Sequence, residues 1–251
     1  GVIRNGAYCE DDAVNYAKAV VDMKNEDGTP AFARSITDYD SLDDAPTLYR
    51  KILPTQEDNS VVIVSVGFST NLIKLLETQA DEYSPLSGRE LVKQKVKLLV
   101  TMAGNFENEE FHEYNVMKDI PAAKVIFETW PTPVVTSPFE LGIQTCYPAS
   151  SIEKDFDWAE LNPIVEAYKS YLPMPYDRPM WDPTALMYAV EGEKWFTMSP
   201  KGQISITDEG STLFTATPDG DRKYMMVDTL QAKAIIEHFV ELIPFNPKST
   251  R

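Results

Sequence analysis

Positive charge is scarce in this chain: 23 lysines and arginines stand against 39 aspartates and glutamates, a formal balance of −16 over 251 residues. Holding a nucleic-acid backbone needs clustered Lys and Arg that displace counterions. No window supplies such a cluster, so a nucleic-acid reader is excluded, and an anionic membrane surface is an equally poor partner. Cysteine is scarcer still. Cys9 and Cys146 allow one disulfide at most and are too few and too far apart for a disulfide framework or a thiolate metal site. No apolar run approaches the roughly 20 residues that span a bilayer. The opening stretch GVIRNGAYCEDD lacks the basic-then-apolar order of a signal peptide, so no compartment is assigned. Glycine, at 11, is outnumbered by 18 prolines, which points to irregular segments stiffened at φ, as where loops shape a site. The remainder, 43% hydrophobic and 25% charged, is the composition of a globular protein of one large domain or two small ones.

The clearest strand is Val61-Val62-Ile63-Val64-Ser65-Val66, closed by Gly67; an apolar run without alternation reads as buried on both faces. Phe68-Ser69-Thr70-Asn71 then leads into Leu72, Ile73, Leu75 and Leu76 at helical spacing. A second strand is expected over 96–102, followed by a polar, acidic loop and a helix near 119–127 with Pro121 in its first turn. A third strand is expected over 133–136. Strands separated by helices predict an α/β, Rossmann-like open sheet, mainly parallel, with helices on both faces. Ligand sites in such sheets lie beyond the carboxyl ends of the strands, which singles out the loops 67–71, 103–115 and 137–142. From 194 to 228 the pattern changes to short alternating runs split by Pro200-Lys201-Gly202, Asp208-Glu209-Gly210 and Pro218-Asp219-Gly220, which are hairpin signals. Residues 230–243 close the chain as an amphipathic helix with Ala234, Ile235, Phe239 and Leu242 on one side. At the other end, Glu10-Asp11-Asp12 ahead of Ala13, Val14, Ala17, Val20 and Val21 reads as the acidic first turn of a helix. The chain thus reads as one domain over 1–251 that begins inside a fold.

Two places could carry chemistry. Asp182, just ahead of Pro183, is either a helix N-cap or a hard-cation ligand projecting from a helix start. Glu113-Tyr114-Asn115 ends a loop of Glu107, Asn108, Glu109, Glu110 and His112 that reads as a solvated acidic surface or as part of a site.

Order and spacing add to this. Val-Gly-Phe-Ser-Thr-Asn-Leu (66–72) follows the first strand, then Leu-Val-Thr-Met-Ala-Gly-Asn (99–105), then Glu-Tyr-Asn-Val-Met-Lys-Asp-Ile-Pro-Ala-Ala (113–123), then Trp-Asp-Pro-Thr-Ala (181–185). Together they resemble the inosine–uridine preferring nucleoside hydrolase family, whose corresponding runs are G-x-L-T-N, M-G-G, E-F-N-x-x-x-D-P-E-A-A and D-P-L-A. The resemblance covers about residues 60 to 190. It implies hydrolysis of the N-glycosidic bond of a ribonucleoside, a bound Ca²⁺, and a homodimer or homotetramer. Residue by residue it implies that the Thr70 carbonyl and the Asp182 carboxylate hold the metal. Glu113 and Asn115 would bond ribose hydroxyls, Met102 would lie beneath the sugar, and Asn108 would be a further ribose ligand.

Two departures stand out. The family's first strand ends in an aspartate cluster, D-x-D-x-x-x-D-D in outline, which supplies most of the metal ligands; it is not in this sequence. Glu10-Asp11-Asp12 and Asp43-Asp44-Ala45 do not follow apolar strands and read as helix starts or loops. The expectation is therefore a nucleoside hydrolase-like domain without its N-terminal strand, active only with that segment. Trp181 stands where many members carry a histidine that protonates the leaving base. An indole is not a proton donor in that sense, and an aromatic here resembles the purine-preferring branch, in which the base stacks on tryptophan; the alternative is a tryptophan that packs the helix start. The two other functional readings are a catalytically inactive nucleoside- or sugar-binding homologue and an interaction module on the same scaffold.

Overall fold

The computed structural model describes residues 16–36, 38 and 40–246. Cys9 and the acidic run Glu10-Asp11-Asp12 lie outside the described residues. The helices are α1 (Tyr16–Asp22), α2 (Ala45–Ile52), α3 (Thr70–Glu77), α4 (Gly88–Lys95), α5 (Tyr114–Met117), α6 (Ile120–Thr129), α7 (Phe139–Gln144), α8 (Ala149–Lys154), α9 (Pro163–Tyr171), α10 (Trp181–Glu191) and α11 (Thr229–Leu242). The strands are β1 (Val61–Ser65), β2 (Val96–Met102), β3 (Val134–Ser137), β4 (Cys146–Tyr147), β5 (Arg178–Pro179), β6 (Thr197–Met198), β7 (Gly202–Ile206), β8 (Thr212–Ala216) and β9 (Arg222–Met226).

β1, β2, β3 and β9 lie side by side and parallel, and β7 and β8 continue the sheet antiparallel. Because side chains alternate across a strand, neighbouring residues feed opposite cores. Leu99 and Val134 pack with Leu72, Leu75, Val92, Ile126 and Phe127 from α3, α4 and α6 on one face. Val100 and Val135 pack with Leu141, Ala185, Ile235 and Phe239 from α7, α10 and α11, and with Met180 just ahead of α10, on the other. Each of the larger of these side chains, from Val to Phe, contributes about 1.5–3 kcal/mol when fully removed from water, so two-sided burial is what holds helices on both faces.

The helix starts follow their capping chemistry. Asp44 caps α2 by accepting the Thr47 N–H at 2.9 Å, and Asp43 pairs with Lys51 at 2.6 Å, so the Asp43-Asp44 pair is a helix start. Ser87 and Glu90 form a reciprocal capping box at α4, as Asp228 and Gln231 do at α11.

Three expectations are corrected. Among the described residues β1 is an edge strand bonded to β2 alone, with Val62 and Val66 exposed, rather than buried on both faces. An apolar run without alternation also describes an edge strand beside an apolar groove, here about 650 Å³ and lined by Val64, Val66, Leu186, Val190, Phe239 and Leu242. Leu242 accordingly faces that groove, exposed, while Ala232 joins Ile235 and Phe239 in the core. Of the three turn signals over 194–228, only Asp208-Glu209-Gly210 joins a simple hairpin, β7 to β8. β9 inserts between β3 and β7 and extends the main sheet, because Val134 and Val135 pair with Arg222 and Lys223. Arg222 fixes that junction: its buried guanidinium donates to the carbonyls of Phe127 (2.7 Å), Trp130 (2.8 Å) and Thr132 (3.1 Å) and pairs with Asp221.

Candidate active site

The carboxyl ends of β2 and β3 meet the start of α10. Met102 closes β2 opposite Ser137 in β3. The Ser137 hydroxyl shares a 2.7 Å hydrogen bond with Thr184, whose Oγ1 also donates to the Trp181 carbonyl at 2.8 Å. This chain of contacts sets the first turn of α10 against the sheet.

Asp182 is not the N-cap of α10. That position is Met180, and among the described residues the Asp182 carboxylate makes no hydrogen bond or ion pair, which leaves it uncommitted there. Asp182 is exposed, yet protein surrounding it raises its pKa above the usual carboxylate value, with Arg178 acting in the opposite sense. An exposed group with dense surroundings marks the wall of a concavity. That concavity, about 250 Å³, is lined by Tyr16, Tyr147, Tyr168, Arg178, Trp181 and Asp182 among others.

Trp181 is braced from behind. Its indole N–H donates to the Phe139 carbonyl at 3.0 Å, and its ring stacks on Phe139 at 5.5 Å. Phe139 in turn lies 4.3 Å from the ring of Phe111, so a row of three aromatics links the loop after β2, α7 and α10. The close approach needs Gly142, where a Cβ would lie 1.9 Å from Trp181 Cδ1. With its N–H occupied, the indole keeps a face, not a donor, for a ligand.

Met102, Glu113 and Asn115 form a second group. Glu113, 2% exposed, caps α5, and its carboxylate accepts the backbone N–H groups of Gly104 (3.1 Å), Asn115 (2.9 Å) and Val116 (3.1 Å). Burial raises its pKa; those three donors oppose the rise, and the charge of Asp182 adds to it, which places the two carboxylates within electrostatic reach. Asn115 Nδ2 donates to the Met102 carbonyl at 3.0 Å and lies 3.2 Å from its sulfur. The Asn115 amide oxygen accepts no hydrogen bond among the described residues and is the group's available acceptor. Asn108 stands apart, exposed on the loop, where its side chain accepts the Glu110 N–H at 3.0 Å and closes a turn. Thr70 begins α3; its hydroxyl donates to Asp119, which also caps α6.

These residues do not make a calcium site. Ca²⁺ takes 6–8 oxygens, and of the implied ligands Asp182 alone offers an uncommitted carboxylate, while Thr70 sits in a helical first turn whose carbonyls point along the helix. Among the described residues no group of three or more His, Cys, Asp or Glu could hold a metal ion. No described helix is long and apolar enough to cross a membrane. Sequence reasoning missed Phe111, Phe139, Arg178 and the cavity tyrosines, because nothing in their spacing relates them before the chain folds.

A sequence profile of the inosine-uridine preferring nucleoside hydrolases matches residues 11–237. Among solved structures, the chain superposes on a plant nucleoside hydrolase with a TM-score of 0.64 at 17% identity, covering 89% of this chain and 74% of that one. For a purine-preferring ribonucleoside hydrolase from Gardnerella vaginalis the TM-score is 0.65 at 18% identity, covering 90% and 71%. An inosine-uridine preferring nucleoside hydrolase from Bacillus anthracis gives 0.58 at 15%, covering 80% and 66%. At these identities the structural likeness shows a shared α/β fold. A search of curated protein sequences found no match.

Proposed function

From the premise that the chain belongs to the inosine-uridine preferring nucleoside hydrolase family, we propose that it hydrolyses the N-glycosidic bond of ribonucleosides and favours purines. Membership supports nucleoside hydrolase activity in general; the site carries the finer reading. The observation behind it is the pairing of Trp181 and Asp182 in one cavity, with the indole N–H tied to Phe139. An indole face held at a fixed angle is a stacking platform for a flat base. A carboxylate one residue away places negative charge where the ribosyl carbon turns cationic.

The chemistry follows from that arrangement. As the C1′–N bond breaks, its electron pair leaves with the base, which gains a proton from solvent, and C1′ passes through an oxocarbenium-like state. Asp182 stabilises that charge electrostatically, and its raised pKa makes it a competent acceptor for the proton that water releases as its oxygen bonds C1′. Asn115 offers its free amide oxygen to a ribose hydroxyl and Met102 supplies apolar surface beneath it. We read 1–251 as one such unit, with calcium dependence requiring carboxylates beyond those described.

A second reading, a nucleoside- or sugar-binding homologue without turnover, is favoured by one observation: the Glu113 carboxylate is fully engaged by backbone donors. The test is kcat/KM for inosine, adenosine and uridine with the wild type, Trp181→Phe and Trp181→Ala. Stacking contributes about 0.5–1.5 kcal/mol beyond area burial, roughly a tenfold rate effect if it acts wholly in the transition state. Purines should therefore lose about tenfold in Trp181→Ala, with part retained in Trp181→Phe. Equal losses for all three substrates, or a wild type that prefers uridine, would reduce Trp181 to packing. Saturable inosine binding without release of base would establish the second reading.

A further inference from the structure

We propose that Arg178 binds a phosphate carried by the substrate, so that the cavity beside Trp181 takes a phosphorylated ribosyl compound; this rests on the reading of that cavity given above. Arg178 is anchored by the pairing of β5 with β4, opposite Tyr147. Its guanidinium lies 4.1 Å from the centroid of the Tyr171 ring and 5.9 Å from that of Tyr16, and stacking of this kind sets the plane of the fork. Among the described residues the guanidinium makes no ion pair and donates no hydrogen bond. The adjacent acid, Asp177, uses Oδ1 to accept the Ala149 N–H at 2.8 Å, and Asp182 feels the charge of Arg178 without bonding it.

A second donor faces the same space. Tyr168 lines the cavity, and its hydroxyl has no hydrogen-bond partner among the described residues. Burial pushes that phenol up to about 12, so it stays protonated and able to donate. A held guanidinium fork and a phenolic O–H, both without acceptors in one partly buried cavity, fit an oxyanion with several acceptor oxygens. In a ribonucleoside-type ligand that group is a phosphate ester on the sugar. At about 250 Å³ the cavity is smaller than those that enclose whole drug-sized ligands, in keeping with a ribosyl phosphate held there while the base lies against Trp181. Asp182 and Arg178 then divide the work, one facing the cationic sugar and the other the anionic tail.

The test is calorimetric titration of the full chain with ribose 5-phosphate, ribose and inorganic phosphate, alongside hydrolysis of inosine and inosine 5′-monophosphate. Ribose 5-phosphate should bind about tenfold or more tighter than either ribose or inorganic phosphate, the return from one charge-assisted hydrogen bond. Arg178→Gln should remove that advantage, and Tyr168→Phe should remove part of it. Should Arg178→Gln fail to fold, Arg178→Lys, which keeps the charge and loses the fork, should give an intermediate loss. Equal binding of ribose and ribose 5-phosphate overturns the proposal, as does an unchanged preference in both Arg178 variants; inorganic phosphate binding as tightly as ribose 5-phosphate would make this a free-phosphate site. A chain that cleaves inosine but is blind to the phosphate sinks this inference and leaves the hydrolase reading. One that cleaves neither substrate but holds ribose 5-phosphate through Arg178 does the reverse.

Discussion

Gly142→Ala offers a test of how Trp181 is held that does not touch the cavity itself. A Cβ at this position would sit 1.9 Å from Trp181 Cδ1 and 2.6 Å from both Cγ and Nε1, whereas carbon atoms in contact lie about 3.5–4.0 Å apart. The ring must retreat by about 1.5 Å or more. Retreat lengthens the 3.0 Å hydrogen bond to the Phe139 carbonyl, worth about 0.5–1.5 kcal/mol. It also disturbs the Phe139 stack, worth a similar amount, and overpacking itself costs about 1–3 kcal/mol. Against these stands the better helix propensity of Ala within α7, about 1 kcal/mol. The net expectation is a loss of about 1–5 kcal/mol by urea unfolding, a red-shifted tryptophan emission, and a fall in kcat/KM for purine nucleosides. The decisive arm is a double-mutant cycle: in a Trp181→Ala background the clash is gone, and Gly142→Ala should be neutral or stabilising. An equal cost in both backgrounds would show that the indole does not occupy the space assigned to it.

Other outcomes follow from individual contacts. Arg222→Lys keeps the charge but cannot reach the three carbonyls of Phe127, Trp130 and Thr132, so unfolding should cost about 2–5 kcal/mol less free energy in the variant; a change under about 0.5 kcal/mol would contradict the assigned network. Asp81 is held at about 2, below its ordinary 3.8, by the Arg50 guanidinium, so its stabilising effect is complete above the ordinary value and fades as pH falls from there towards 2. Urea midpoints across that window should fall more steeply for the wild type than for Asp81→Asn. Ser87→Ala should remove the α4 capping box at a cost of about 1 kcal/mol with an unchanged denaturant slope. Calcium titrated into the chain should bind more weakly than micromolar; tighter binding would mean that ligands lie among residues not assigned to it.

How far the sequence reached is clearest in single elements. The run 96–102 became β2 without revision, and Pro121 and Asp119 placed the start of α6, because a strand buried on both faces and a capped helix are local patterns written in consecutive residues. The order of four motifs carried the family, since each is a short stretch whose chemistry survives without neighbours. The place of β1 was not legible, because the same apolar run suits a central strand or an edge, and only the sheet order decides which. The insertion of β9 between β3 and β7 was equally out of reach, because strand pairing is set by register between distant segments rather than by the turns that separate them. The site divides the same way. Asp182, Glu113 and Asn115 stood out by residue type and spacing, and Trp181 and Met102 through the family resemblance. That Asp182 is uncommitted among the described residues, that Glu113 spends its carboxylate on backbone donors, that Phe139 and Phe111 brace Trp181 and that Arg178 lines the cavity were decided by tertiary structure, because a hydrogen-bond partner or a facing ring is a matter of distance in space.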